Sequence, residues 1–211
     1  MTTLAPSPRR LVLADRVFAR TLALDIVLVV AGAAFVTILA QLSVPLYPVP
    51  ITGQTLAVLL VGSTLGAARG GLSLLLYAVL GLVGLPVFAP NADGSHTSGL
   101  ASVSTASFGY VIGFVLSAAL VGWLAERAWD RKVLKALATF AAGSLAVFAI
   151  GLPWLAVFLG THGAANDLQS VLIAGFYPFV IGGIIKAVIA AGLLPLGWRG
   201  ADQLAERRRD S

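Results

Sequence analysis

One lysine carries the only formal charge that lies well inside an apolar run of this chain. Lys186 sits in the stretch IGGIIKAVIAAG, and no acid stands inside a long apolar segment to pair with it, Asp25 being at the end of the first. An ammonium near the middle of a hydrocarbon layer costs about 2.5–3.5 kcal/mol on insertion scales, so the chain must compensate it. Three arrangements do so: the side chain reaches an interface, it meets backbone carbonyls, or it receives an anionic or carbonyl-bearing ligand. Gly182, one turn earlier on the same stripe, and Gly183 beside it leave room over the helix surface for a ligand.

A second cluster of polar groups lies in SVPLYPVPITGQTL, residues 43–56. Prolines at 45, 48 and 50 remove amide donors and push Val44, Tyr47 and Val49 toward extended backbone, so helix must stop here. The turn that follows carries Thr52, Gln54 and Thr55, whose amide and hydroxyls can hydrogen-bond a polar ligand. Thr52 is equally placed to cap the next helix. Tyr47, Tyr77, Phe88, Tyr110, Trp154 and Tyr177 are candidates either for an apolar pocket wall or for interfacial anchors. Trp123 and Trp198, next to basic clusters, are assigned to the interfacial belt.

Other chemistries lack their residues. Cysteine is absent, which removes disulfides, thiolate nucleophiles and sulfur ligands. No lysine follows a glycine, so there is no Walker-type phosphate cradle. The two histidines, His96 and His162, are far apart and not at metal-ligand spacing. No serine accompanies a histidine and an acid at membrane depth, which disfavours an intramembrane hydrolase. Binding and translocation remain, with no cofactor expected and no enzymatic activity.

The elements that must position these groups are membrane helices. Of 211 residues, 58% are hydrophobic and 11% charged, and the mean hydropathy is +0.94, too little polar surface to coat a soluble globule. Six apolar segments stand out: 24–42, 55–68, 71–88, 107–125, 134–159 and 172–196. The second is short for a span. The net charge of +5 is not a nucleic-acid footprint, because thirteen of fourteen Lys and Arg residues lie at segment ends. Arg9, Arg10, Arg16 and Arg20 precede the first segment, Arg69 follows the second, Arg127, Arg131, Lys132 and Lys135 follow the fourth, and Arg199, Arg207, Arg208 and Arg209 follow the sixth. The remaining loops carry none. The expected fold is therefore an all-α integral membrane protein, one domain over residues 1–211, with six transmembrane helices in the lipid bilayer and both termini cytoplasmic. Residues 1–21 and 198–211 are its tails, the first an uncleaved tail and not a signal peptide.

The proline turn, the 90–106 loop and the 160–170 loop then share the outer side. Asn91, Asp93 and His96 lie in the second, and His162, Asn166, Asp167 and Gln169 in the third. The 90–106 loop is long for a helix connection, which favours a lid or binding role. Gly62, Gly66 and Gly70, and Gly109, Gly113 and Ser117, fall at four-residue spacing, with a weaker version at Ala33 and Thr37. Such stripes let helices approach closely within the chain.

Four stretches, YPVPITGQTLAVLL, GLPVFAP, SFGYVIGF and GLPW, resemble in order and spacing the BioY family of bacterial biotin transporters, the substrate-binding S components of energy-coupling factor (ECF) importers. The resemblance covers residues 25–196. It implies six membrane helices and an outward-facing biotin site roofed by the loops after helices one and three. It also implies partnership with a transmembrane coupling protein and two ATPase subunits, with the small-residue stripes, especially that of segment one, as docking surface. By position it assigns ligand contacts to Thr52, Gln54, Asn91, Tyr110 and Lys186; Trp154 and Gly183 complete the expected substrate-binding set. The family pattern G-P-T-G-G-Y is here TASFGY, and the acid of a P-G-D pattern before the lysine is absent, Ile181, Gly182 and Gly183 standing there. An S component for another vitamin and a self-sufficient secondary carrier of a small organic anion are the alternatives.

Overall fold

A computed structural model of the chain describes residues 12–18, 20–91 and 93–207. Its order is α1 (Leu13–Val17), α2 (Leu22–Gln41), the two-residue strands β1 (Ser43–Val44) and β2 (Ile51–Thr52), α3 (Gln54–Leu65) and α4 (Ala67–Leu82). A 3-10 segment (Gly99–Ser104), α5 (Phe108–Ala125), α6 (Val133–Thr161), α7 (Leu168–Gly175) and α8 (Tyr177–Arg207) complete it. The chain is an all-α integral membrane protein. Helices α2, α5, α6 and α8 are each long and apolar enough to cross a bilayer. Helices α3 and α4, with 12 and 16 residues, reach only about 18 and 24 Å at 1.5 Å per residue.

The proline stretch does break the helix. Around it the backbone closes as an antiparallel ribbon, Ser43 opposite Thr52 and Val44 opposite Ile51, so exposed peptide groups pair with each other.

Several expectations need correcting. The loop expected to carry Arg69 does not exist: α3 ends at Leu65, and Gly66 alone, at φ 88°, turns the chain into α4. Only glycine adopts that backbone cheaply. The Ala67 amide that starts α4 is capped by Glu126 Oε1 at 2.9 Å. The sixth segment is not one helix, because α7 ends at Gly175 and α8 begins afresh at Tyr177 and runs to Arg207, through most of the expected tail. Trp198 therefore does not sit in an interfacial belt. It is buried, donates Nε1–H to Asp130 Oδ2 at 2.7 Å, and lies under the Arg131 guanidinium. Burial pushes the Asp130 carboxyl above the usual carboxylate range.

The expected N-terminal tail is also partly structured. Residues 1–11 lie outside the described residues, but α1 tucks Val12 and Ala14 into the core. It also brings Asp15, whose side chain is 1% exposed, onto Arg69 at 2.5 Å and onto Arg20. Arg69 bridges on to Asp25 at 3.1 Å. Burial alone pushes the Asp15 carboxyl up, but the hydrogen bonds from Arg20 and Arg69 outweigh it and hold the group below its ordinary value.

The glycine stripes are used inside the chain, as expected. A Cβ on Gly62 would lie 2.7 Å from the Ala118 carbonyl oxygen, one on Gly113 2.9 Å from Val147, and one on Gly122 2.3 Å from the carbonyl carbon of Gly66. Helix α5 is thus clamped between α3, the α3–α4 joint and α6 by backbone-to-backbone approach. The stripe on segment one is consumed the same way: Gly32, Ala33 and Val36 face the core, and Thr37 donates to the Ala33 carbonyl. It is not a free docking surface. By contrast Gly182, Gly183 and Gly192 on α8 have open space where a Cβ would stand.

Gly122→Ala should lower the thermal midpoint of the detergent-purified protein through an overpacking cost of about 1–3 kcal/mol. Gly192→Ala, placed where nothing is within 4 Å, should leave the midpoint unchanged or raise it; equal effects of the two would contradict this packing.

Candidate functional site

The proline turn, the 88–107 segment and the starts of α3, α5 and α8 converge on one cavity of about 830 Å³. Its walls are mainly apolar, with Val58, Phe108, Tyr110, Phe114, Phe148 and Phe179 among them. The floor is a separate, fully packed cluster in which Phe140 and Val121 meet Ala190, Ala191 and Leu194 of α8. Of the residues expected from sequence to bind a ligand, Thr52, Gln54, Asn91, Tyr110, Gly183 and Lys186 all line this space. Residues separated by more than 130 positions are brought together.

Lys186 resolves its compensation inward. Its Nζ donates to the Thr52 carbonyl oxygen and, at 3.1 Å, to Thr55 Oγ1, so the side chain ties α8 to the proline turn and does not run out to an interface. Among the described residues no carboxylate pairs with it, and it is the only charged residue lining the cavity. Carbonyl and hydroxyl dipoles solvate an ammonium without cancelling its charge, so the site retains a formal positive charge available to an anion or a carbonyl oxygen. Gly183, one turn earlier on α8, leaves the approach to it open.

Thr52 and Gln54 are held by each other. Thr52 Oγ1 donates to Gln54 Oε1 at 2.7 Å and accepts from the Gln54 amide at 3.2 Å; the N-cap position of α3 is Gly53, and Thr52, one residue before it, satisfies only the first helical amide. Gln54 Nε2 donates to the Tyr77 hydroxyl at 2.5 Å. Tyr77, a candidate wall residue from sequence, is fully buried one layer behind the cavity and fixes the Gln54 amide from there. Tyr110 places its ring on the wall, while its hydroxyl donates to the Gly175 carbonyl at 3.0 Å and joins α5 to the end of α7. Asn91, exposed at the mouth, donates to Ser95 Oγ and Thr97 Oγ1, each at 3.0 Å, and folds the tip of its own loop.

Trp154 is not among the lining residues. Its Nε1–H donates to the Thr105 carbonyl at 3.0 Å and its ring packs on Phe108 at 5.7 Å, which leaves Phe108 as the surface presented to the cavity. Gly109 makes this possible, since any Cβ there would be 2.2 Å from Trp154. Tyr47 lines the rim but is 84% exposed, and Tyr177 is outside the wall. Thr55 was legible as part of the polar turn but not as the partner of Lys186, because only packing of α8 against α3 creates that pair. No group of three or more His, Cys, Asp or Glu residues that could hold a metal occurs among the described residues.

Residues 11–203 match the family model described as the BioY family. The chain belongs to the BioY family. A "Biotin transporter BioY2" of Lactococcus lactis is 34% identical over 165 residues, spanning 78% of this chain and 85% of that protein. A "Biotin transporter BioY" of Thermotoga maritima is 35% identical over 162 residues, spanning 75% and 86%. Among solved structures, a crystal structure of "the S-component for biotin from an ECF-type ABC transporter" superposes with a TM-score of 0.66 at 25% identity, covering 84% of this chain and 93% of that one. The BioY match extends the resemblance beyond residues 25–196 to take in α1 and α8 as far as residue 203, parts of the chain that sequence alone had assigned to tails.

Tyr77→Phe removes the acceptor of a buried amide while keeping the ring. It should cost about 1–3 kcal/mol, read as a lower thermal midpoint, without altering the shape of the cavity wall.

Proposed function

We propose that this BioY-family protein binds biotin in the cavity and imports it across the bacterial cytoplasmic membrane as the S component of an ECF-type importer. The observation that carries this reading is the pairing of an apolar cavity with a single ammonium held at its polar rim. Its volume lies within the roughly 300–1,000 Å³ of small-molecule sites. The aromatic and aliphatic walls suit a thiophane ring and an aliphatic chain. The rim groups, Thr52, Thr55, Asn91 and Lys186, suit a carboxylate or a urea carbonyl. The names of the relatives and of the structural neighbour support biotin over other solutes of similar size.

The cavity mouth faces outward in this reading. Arg16, Arg20, Arg69 and Arg131 gather at the opposite end, where Asp15, Asp25 and Asp130 meet them or lie beside them, and short basic segments stay in the cytoplasm. Both termini are then cytoplasmic, with α2, α3, α4, α5, α6 and α8 as the six crossing helices. The chain offers no phosphate cradle of its own, so energy comes from partners: a transmembrane coupling protein and two ATPase subunits engaging its cytoplasmic side.

Binding of labelled biotin to the purified protein, competed with unlabelled biotin, thiamin and riboflavin, tests the reading directly. Competition by biotin alone is expected; binding of either other vitamin in its place would overturn it. Lys186→Ala should weaken biotin at least about tenfold, near 1.4 kcal/mol, with the protein still inserted. Because the chain has no cysteine, orientation can be read with single replacements: Ser95→Cys should react with an impermeant maleimide on intact cells, and Lys132→Cys only after lysis.

A further inference from the structure

An ammonium carries three N–H donors. At Lys186 the Thr52 carbonyl and Thr55 Oγ1 accept from it, and no third partner stands among the described residues. One donor is left over. The outer-loop acids do not take it: Asp93 accepts from Ser95, Asp167 accepts from the amides of Gln169 and Ser170, and neither lines the cavity. Asp15, Asp25, Glu126, Asp130 and Asp202 are held at the basic end.

Gly183 stands one turn before Lys186 on α8 and lines the cavity with it. A Cβ placed there would meet nothing within 4 Å. Side chains three residues apart on a helix are neighbours, so this empty volume lies beside the ammonium. An acid at 183 would pair with Lys186 inside the protein and cancel its charge. Glycine leaves both the charge and the space.

The rest of the lining offers a carboxylate no counter-charge. Val58, Leu59, Val111, Phe114, Leu137 and Ala141 are apolar, and at the mouth the Asn91 amide is spent on Ser95 and Thr97. A carboxylate moved from water into such surroundings without a cation loses far more solvation than an uncharged group does. The anionic end of a ligand therefore has one place in this cavity, whereas an uncharged end has the whole apolar wall.

We propose that Gly183 and Lys186 form an anion seat: the ligand's carboxylate lies in the open space over Gly183 and accepts from the remaining Lys186 donor. Gly183 is then a specificity-determining residue, because its lack of an acid keeps the ammonium unneutralised and makes the site select a monoanion over an uncharged analogue. The assignment rests on the reading that biotin is the ligand; it adds which end of biotin the lysine holds and which residue makes that end the preferred one.

The test is calorimetric titration of the full chain in nanodiscs with biotin and with its primary carboxamide, which keeps the rings and the chain but carries no charge. Wild type should prefer biotin by about tenfold or more, as a charge-assisted bond requires. Lys186→Met should bring the two ligands to equal affinity. Gly183→Asp should do the same with the lysine still present, while Gly183→Asn, of the same size without the charge, should weaken both ligands alike and keep the preference. Equal affinities in wild type, a preference that survives Lys186→Met or Gly183→Asp, or a preference lost as fully in Gly183→Asn as in Gly183→Asp would each overturn the anion seat while leaving biotin binding by wild type intact. Wild-type protein that binds neither ligand overturns the transport reading and this assignment with it.

Discussion

An ammonium half-buried in an apolar bundle, with no carboxylate among the described residues to meet it, is the constraint around which the binding end is built. In hydrocarbon every polar group must find its partner within the protein. Lys186 finds the Thr52 carbonyl and the Thr55 hydroxyl. Thr55 belongs to the first turn of α3, and Thr52 to the turn whose prolines prevent the helix from continuing. The same turn orders Gln54 through Thr52, and Gln54 reaches Tyr77 on α4. A single charge thus organises α8, the turn, α3 and α4 at the rim, and the cavity beneath inherits its electrostatic character from that one residue.

Around this rim the bundle is unevenly packed. Helices α3, α4, α5 and α6 approach each other through glycines that admit no side chain, giving a rigid half. Helix α8 shows the opposite pattern: four of its glycines, Gly182, Gly183, Gly192 and Gly200, face open space, and Ile181, Ile185 and Ile189 are exposed. Helix α8 is fastened at two levels. Lys186 holds it to the proline turn, and the floor cluster at Ala190, Ala191 and Leu194, with Trp198 on Asp130, holds it below. The cavity runs along α8 from Phe179 to Val188, before the floor cluster begins.

The basic end is a second polar assembly with its own logic. Asp15, Arg69, Arg20 and Asp25 form a continuous ion-paired chain from α1 to α4, and Glu126 caps α4 from the α5–α6 turn. A one-residue joint at Gly66 leaves α4 without a loop to supply a cap, so a side chain from a distant turn takes that place.

Composition and charge placement alone determined the class of molecule, the six apolar segments and the clustering of basic residues at one end, because hydrocarbon tolerates few charges and those few must stand at span ends. The oddity of Lys186 was equally legible, since an unpaired cation in an apolar run needs no coordinates to be noticed. The partner of Lys186, the retreat of Trp154 behind Phe108, the burial of Trp198 on Asp130 and the use of Ala33 inside the core were decided by the tertiary structure. Each depends on which faces of distant helices meet, and a one-dimensional pattern of apolar residues is nearly uniform around such helices, so it says that they pack but not against what.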